Sequence, residues 1–187
     1  MIESFQLANH LLVAMPGLTD PNFAHSVVYI CEHHQEGTVG LIINQPLQYH
    51  LGFIFDQMNI HATKEKQKRL PVLFGGPVQP ERGFVIHRPS GLWRSSLNLK
   101  ENVTVTTSDD IIKALAEDQG PSDVLITLGY AGWSKEQIDY EVKMNQWLVC
   151  PATSELLYEI PFEKRWEMAG QSIGVDMSQL SFQSGNA

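Results

Sequence analysis

The sequence predicts an α+β domain built on a mainly antiparallel β-sheet. Short apolar, β-branched runs bounded by Gly, Pro or Asn recur along the chain and read as strands. They come in blocks instead of alternating strictly with helices, which disfavours a doubly wound parallel sheet. The helices are fewer, short and marked by capping residues.

In chain order, strands are expected at residues 11–15, 26–31, 38–43, 72–74, 83–87, 103–106, 124–128 and 147–149. The second and third flank the polar segment from His33 to Gly37, which reads as a hairpin loop ending in glycine. Neither strand alternates cleanly with polar residues, so both belong inside the sheet. A helix is expected over 51–58, and the charged stretch 62–69 extends as a solvated helical turn. Ser108 is placed to cap a helix whose first turn carries Asp109 and Asp110, where the helix dipole favours carboxylates. Ile111, Ile112 and Leu115 give that helix an apolar face, and Gly120 with Pro121 stops it. Ser134 and Gln137 match a capping box, with Ile138 and Val142 as the apolar stripe behind it. Thr153 and Pro161 with Phe162 open two further short helices.

A chain of 187 residues suits one domain. That domain is expected over residues 1–177, with 178–187 as a polar, flexible tail. A domain of this size buries about 70% of its unfolded surface, so folding needs no metal or disulfide. The formal net charge of -8 and pI near 5.3 argue against direct nucleic-acid binding, which depends on clustered Lys and Arg. Cys31 and Cys150 stand alone, without a C-x-x-C pair, and residues 1–10 lack a basic segment followed by an apolar one. Both features lead to the expectation of reduced thiols in a cytoplasmic protein. The apolar runs, about six residues at most, fall well short of the ~20 needed to span a bilayer, so no membrane association is expected.

Four segments together resemble the YqgE/AlgH family. They are Leu11 to Pro16 with Asp20, Pro21, Asn22 and Phe23; Gly40 to Pro46; Gly75, Gly76, Pro77 and Val78; and Gly129 to Trp133, followed by Trp147, Leu148 and Val149. Their order and spacing follow the family over nearly the whole chain. The resemblance implies a curled, partly barrel-like sheet flanked by short α-helices, in a bacterial family that is uncharacterised and carries no established reaction. Some of its members bear the label of transcriptional regulator. His25 and Gln45 stand where the family generally has Arg. Neither replaces the bidentate fork of a guanidinium, which weakens any claim of anion binding there.

The candidate site gathers around glycine-rich corners. Asp20, Pro21 and Asn22 have turn chemistry, and Asn22 has an amide that could enter a cleft. Gly75 and Gly76 permit a close approach of another backbone or a ligand. Pro77 removes a backbone N–H, and no Lys-Ser/Thr pair follows, so the segment is not a P-loop. Residues 129–133 lead from a strand to a capped helix, a favoured ligand position. Their alternative role is a packed corner with Trp133 stapling the helix. The candidate ligand-binding set is therefore Asn22, Asn44, Gly75, Gly76, Pro77, Tyr130, Gly132 and Trp133.

Other motifs have plainer readings. Adjacent residues on a strand face opposite sides, so Cys31, Glu32, His33 and His34 make a poor metal set, and the histidines are expected exposed in a hairpin loop. Cys31 reads as a small buried hydrophobe. The basic run 64–69 reads as a solvated face. G-x-S-x-G, H-E-x-x-H and S-x-x-K motifs are missing from the sequence. No catalytic residue, metal or cofactor is assigned. The favoured expectation is a non-enzymatic binding or regulatory protein whose partner is a small molecule or another protein. The alternatives are an enzyme using polar groups of the same cleft, such as Asn22, Asn44 or His25, and a DNA-binding regulator, which the acidic charge disfavours.

Overall fold

The computed structural model describes residues 6–183. The described chain forms strands β1 (His10–Ala14), β2 (Val27–His34), β3 (Gly37–Ile42), β4 (Pro46–His50), β5 (Pro71–Phe74), β6 (Val78–Arg88), β7 (Ser96–Asn98), β8 (Thr104–Thr106), β9 (Asp123–Trp133) and β10 (Trp147–Pro151). The helices are α1 (Leu51–Gln57), α2 (Glu65–Lys68), α3 (Asp110–Ala116), α4 (Lys135–Lys143), α5 (Phe162–Gln171) and α6 (Met177–Gln183). The main sheet runs β10-β1-β2-β3-β9-β6-β8-β7, with β4 and β5 attached beside β9. It curls into a half-barrel. Among the described residues every strand pairing is antiparallel except that of β5 with β9, so the expected α+β class holds.

Strand β9 organises the curl. Over Asp123 to Leu128 it pairs antiparallel with β6, while Ile126 to Leu128 also pair parallel with β5. Beyond Gly129 its neighbour changes to β3, through Ala131, Gly132 and Trp133. The segment expected as a corner leading into a helix is thus the second half of an eleven-residue strand. Gly75 lies at the change of partners: its N–H donates to the Leu128 carbonyl and its own carbonyl accepts from the Ile42 N–H, at 2.8 and 2.9 Å.

Three apolar layers cover the sheet. One includes Tyr29, Leu41, Ile86 and Cys150 beneath α5 and α6. A second places Ile30, Ile42 and Trp133 against Ile138 of α4. The third packs Val72, Val85 and Ile126 against Leu51 and Phe55 of α1 and Ile111 and Leu115 of α3. The apolar stripe foreseen for α3 therefore faces the core.

Local chemistry explains the helix starts. Ser134 Oγ accepts from the Gln137 N–H at 3.1 Å, which caps α4, whereas the Gln137 side chain turns to Glu141 instead of reaching back. Ser108 does not cap α3. Its hydroxyl donates to Asp110 Oδ1 at 2.5 Å and accepts from the Ser95 N–H at 3.0 Å. The basic run 64–69 supplies the short helix α2. Lys64 and the buried Gln67 both bond the Asp118 carboxylate, which ties this turn to the end of α3.

The hairpin loop is tighter than expected, because β2 continues through His33 and His34. His33 is buried, and its Nδ1 lies 2.8 Å from Thr38 Oγ1, so only His34 of the pair is exposed. The residues expected as tail begin in helix α6, and residues 184–187 lie outside the described chain. No helix among the described residues is long and apolar enough to cross a membrane.

Candidate functional site

An apolar groove of about 600 Å³ runs along the outer face of the β6–β9 pair, between α1 and α3. Its floor is Val85, Ile126 and Leu128, alternate positions that strand geometry brings to one sheet face. Phe53, Ile54 and Met58 of α1 and its C-terminal turn form one wall, and Ile112 of α3 stands in the other. Phe53 is 49% and Met58 37% exposed, so this wall keeps apolar surface open to solvent. Tyr49 packs on Phe53 with ring centroids 4.7 Å apart and continues the wall into β4. Gly83 leaves space in the groove, since a Cβ there would meet only Leu128 Cδ2, at 3.9 Å. Polar groups are few: Tyr49 and Gln57 on the β4–α1 side, Glu81 on β6, the buried Thr106 at the end of β8, and Thr107, Ser108 and Asp109 between β8 and α3.

The residues singled out in the sequence lie elsewhere. Gly75, Gly76 and Gly129 do meet, but backbone against backbone. A Cβ at Gly76 would lie 2.1 Å from the Tyr130 carbonyl carbon, and one at Gly129 would lie 2.2 Å from the Gly76 oxygen. The shared hollow expected between these corners is therefore filled by main chain. Pro77 is exposed beside them, and Gly132 is exposed on β9. Tyr130 packs edge-on against Phe84 at 5.8 Å. Trp133 is 6% exposed and its indole donates to Glu141 at 2.9 Å, so its aromatic face is spent on the core.

Asn22 is exposed, and its backbone N–H bonds Asp20 Oδ1 at 2.8 Å, the turn chemistry of its sequence context. Asn44 borders a second cleft with His25, Gln45 and Trp166. Its amide is consumed by backbone, accepting from the Val27 N–H and donating to the His25 carbonyl, both at 2.9 Å. These bonds hold His25 at φ 57°, with its ring 4.3 Å from that of Trp166. Glu163 and Glu167 also line this cleft, but neither hydrogen-bonds His25. It thus assembles titratable groups without a proton-transfer contact.

Cys31 is buried, donates to the Val39 carbonyl at 3.5 Å, and has its thiol pKa pushed up to about 12 by burial and the neighbouring Glu32 charge. It stays a thiol at neutral pH. Sequence reading also missed Arg165. This buried guanidinium donates to the Ile43 and Ile160 carbonyls at 2.6 and 2.9 Å, and its pKa is lowered to about 10 by burial. Its signal was faint, one Arg among the charged residues of an amphipathic helix.

Fold and surface together define a curled α+β half-barrel carrying an open apolar groove and a fully packed glycine seam. The AlgH-like family model matches residues 11–178, and the chain belongs to that family. A UPF0301 protein of Legionella pneumophila (strain Corby) is 61% identical over 181 residues, 97% of each chain. A UPF0301 protein of Thioalkalivibrio sulfidiphilus is 47% identical over the full length of both. The solution structure of the AlgH protein from Pseudomonas aeruginosa, 41% identical, superposes with a TM-score of 0.79 over 100% of this chain and 99% of that one. The crystal structure of protein DIP2367 from Corynebacterium diphtheriae, at 18% identity and TM-score 0.73 over 97% of this chain and 94% of that one, shares the fold.

Proposed function

We propose that the protein is a non-enzymatic binding protein whose ligand is a small, largely apolar molecule seated in the groove between α1, α3 and the β6–β9 pair. The groove's volume of about 600 Å³ supports this reading, because ligand sites usually enclose roughly 300–1,000 Å³ with apolar walls and a few polar groups. Phe53 adds to it: covering a half-exposed Phe contributes about 1 kcal/mol of the ~1.5–3 kcal/mol that full burial provides.

Gly83→Ile tests the reading. A Cβ at Gly83 has no backbone within 4 Å apart from its own chain neighbours, so the variant should fold, and its branched side chain on the groove lining should obstruct the site. Titration with the neutral fluorophore N-phenyl-1-naphthylamine should give a saturable emission rise in the natural protein. The variant, with unchanged Tm, should bind at least about tenfold more weakly. Equal binding by both proteins, or no saturable signal in the natural one, rejects the groove as a ligand site.

A further inference from the structure

We infer that the groove selects a ligand whose apolar body ends in a protonated amine, a conclusion that rests on the groove being the ligand site. The lining side chains include the carboxylates of Glu81 and Asp109 and no Lys, Arg or His. Along the β8–α3 rim, each hydroxyl proton is already committed. The His87 ring fixes the first of them. Its Nδ1 lies 2.9 Å from the Pro89 carbonyl, which can only accept, so Nδ1 carries the proton of the neutral ring. Nε2 is then an acceptor, and the Thr106 hydroxyl 2.7 Å away donates to it. Burial of His87 lowers its pKa and keeps the ring neutral. Thr107 Oγ1 donates to Ser95 Oγ at 3.2 Å, and Ser108 Oγ donates to Asp110 Oδ1.

What this rim offers from its side chains is oxygen lone pairs, while Arg94 and Lys113 match the charges of Asp109 and Asp110, so the unmatched lining charge is Glu81 on β6. Asp109 already holds Arg94 and Lys113, the latter at 2.9 Å. Glu81 is exposed and takes part in no ion pair among the described residues. The start of α3 does not invert the field, because Asp110 Oδ1 accepts from the Ile111 N–H at 3.1 Å and puts carboxylates at the helix end. Tyr49 and Gln57, both neutral and both on the β4–α1 side, are the lining side chains whose donors are unengaged among the described residues. A carboxylate head at the β8–α3 rim would meet committed hydroxyls that can only accept, and beside Glu81 it would meet like charge, whereas an ammonium brings three donors to these oxygens. The overall charge of -8 favours the same sign of ligand on approach.

The test holds the apolar body constant and changes the head. 2-(1-Naphthyl)ethylamine, 2-(1-naphthyl)ethanol and 1-naphthylacetate are titrated calorimetrically into the natural protein, Glu81→Gln and Gly83→Ile near neutral pH, at low and high salt. The amine should bind about tenfold more tightly than the alcohol. The acetate should be weakest. Glu81→Gln and high salt should each shrink the amine's advantage, and Gly83→Ile should weaken both amine and alcohol. If the alcohol binds but the amine is no better, or the acetate equals it, the head-group inference falls while the groove reading stands. An amine preference that survives Glu81→Gln in full, or amine binding undiminished in Gly83→Ile, also overturns it. If none of the three binds the natural protein, both the inference and the groove reading fail.

Discussion

Trp133 and Trp147 donate their indole N–H groups to the same oxygen, Glu141 Oε2, each at 2.9 Å. Their rings stand nearly perpendicular with centroids 6.0 Å apart, and Phe23 packs against both at 5.8 and 5.7 Å. One carboxylate on α4 thus ties the end of β9 to the start of β10. Glu141→Ala would leave two buried indole donors without an acceptor, each costing about 1–3 kcal/mol. Urea unfolding followed by Trp emission should show a loss of about 2–5 kcal/mol for Ala and a clearly smaller one for Gln, which keeps an oxygen in place. A Glu141→Ala variant as stable as the natural protein would show that the shared bond carries no weight.

The glycine seam gives a sharper contrast. Gly76 sits at φ 155°, and a Cβ there would lie 2.1 Å from the Tyr130 carbonyl carbon, inside β9. The neighbouring atoms are main chain that pairs with β6, so they cannot yield as a side-chain tip can. Gly76→Ala should cost more than about 4 kcal/mol or abolish soluble expression. Gly17→Ala, with nothing within 4 Å of the added carbon, should stay within about 0.5 kcal/mol of the natural protein. Thermal unfolding of the two side by side decides the matter. A Gly76→Ala protein as stable as Gly17→Ala would mean that the seam tolerates a side chain.

Local chemistry made part of the molecule legible in its residues. Segments such as Val72 to Phe74 carried a strand signal because β-branched and aromatic residues fill both sheet faces there. Ser134 with Gln137 marked α4 because capping is local chemistry. Gly129 to Trp133 misled: a glycine pair flanking an aromatic reads as a corner, yet here Gly129 lets β9 run on while its partner changes from β5 to β3. Pro46 to His50 and Ser96 to Asn98 gave no strand signal, being short and without a buried residue. The groove was invisible for a different reason. Tyr49, Phe53, Gly83, Ile112 and Leu128 come from separate elements, and only the fold places them together. Asn44 was singled out as a ligand contact, whereas its amide is engaged by two long-range backbone bonds that leave no local trace in the sequence.

His87 supplies a pH dependence whose sign can be worked out. Its ring is fully buried, donates from Nδ1 to the Pro89 carbonyl, accepts at Nε2 from Thr106, and packs edge-on near Trp93 at 6.3 Å. Burial holds the folded-state pKa below the ordinary value of 6.5. Between the folded and unfolded values the unfolded chain binds more protons, so acid favours unfolding. The stabilisation from a neutral ring is complete above the unfolded value and is lost as pH falls through the folded one. The Tm should therefore drop on acidification from about pH 7 to about pH 5. His87→Gln removes the proton-binding site while keeping polar atoms near Thr106. It should melt lower at neutral pH but show a flatter acid limb, which separates His87 from the other histidines. Parallel acid limbs in the two proteins would show that this ring is not the group whose protonation unfolds the domain.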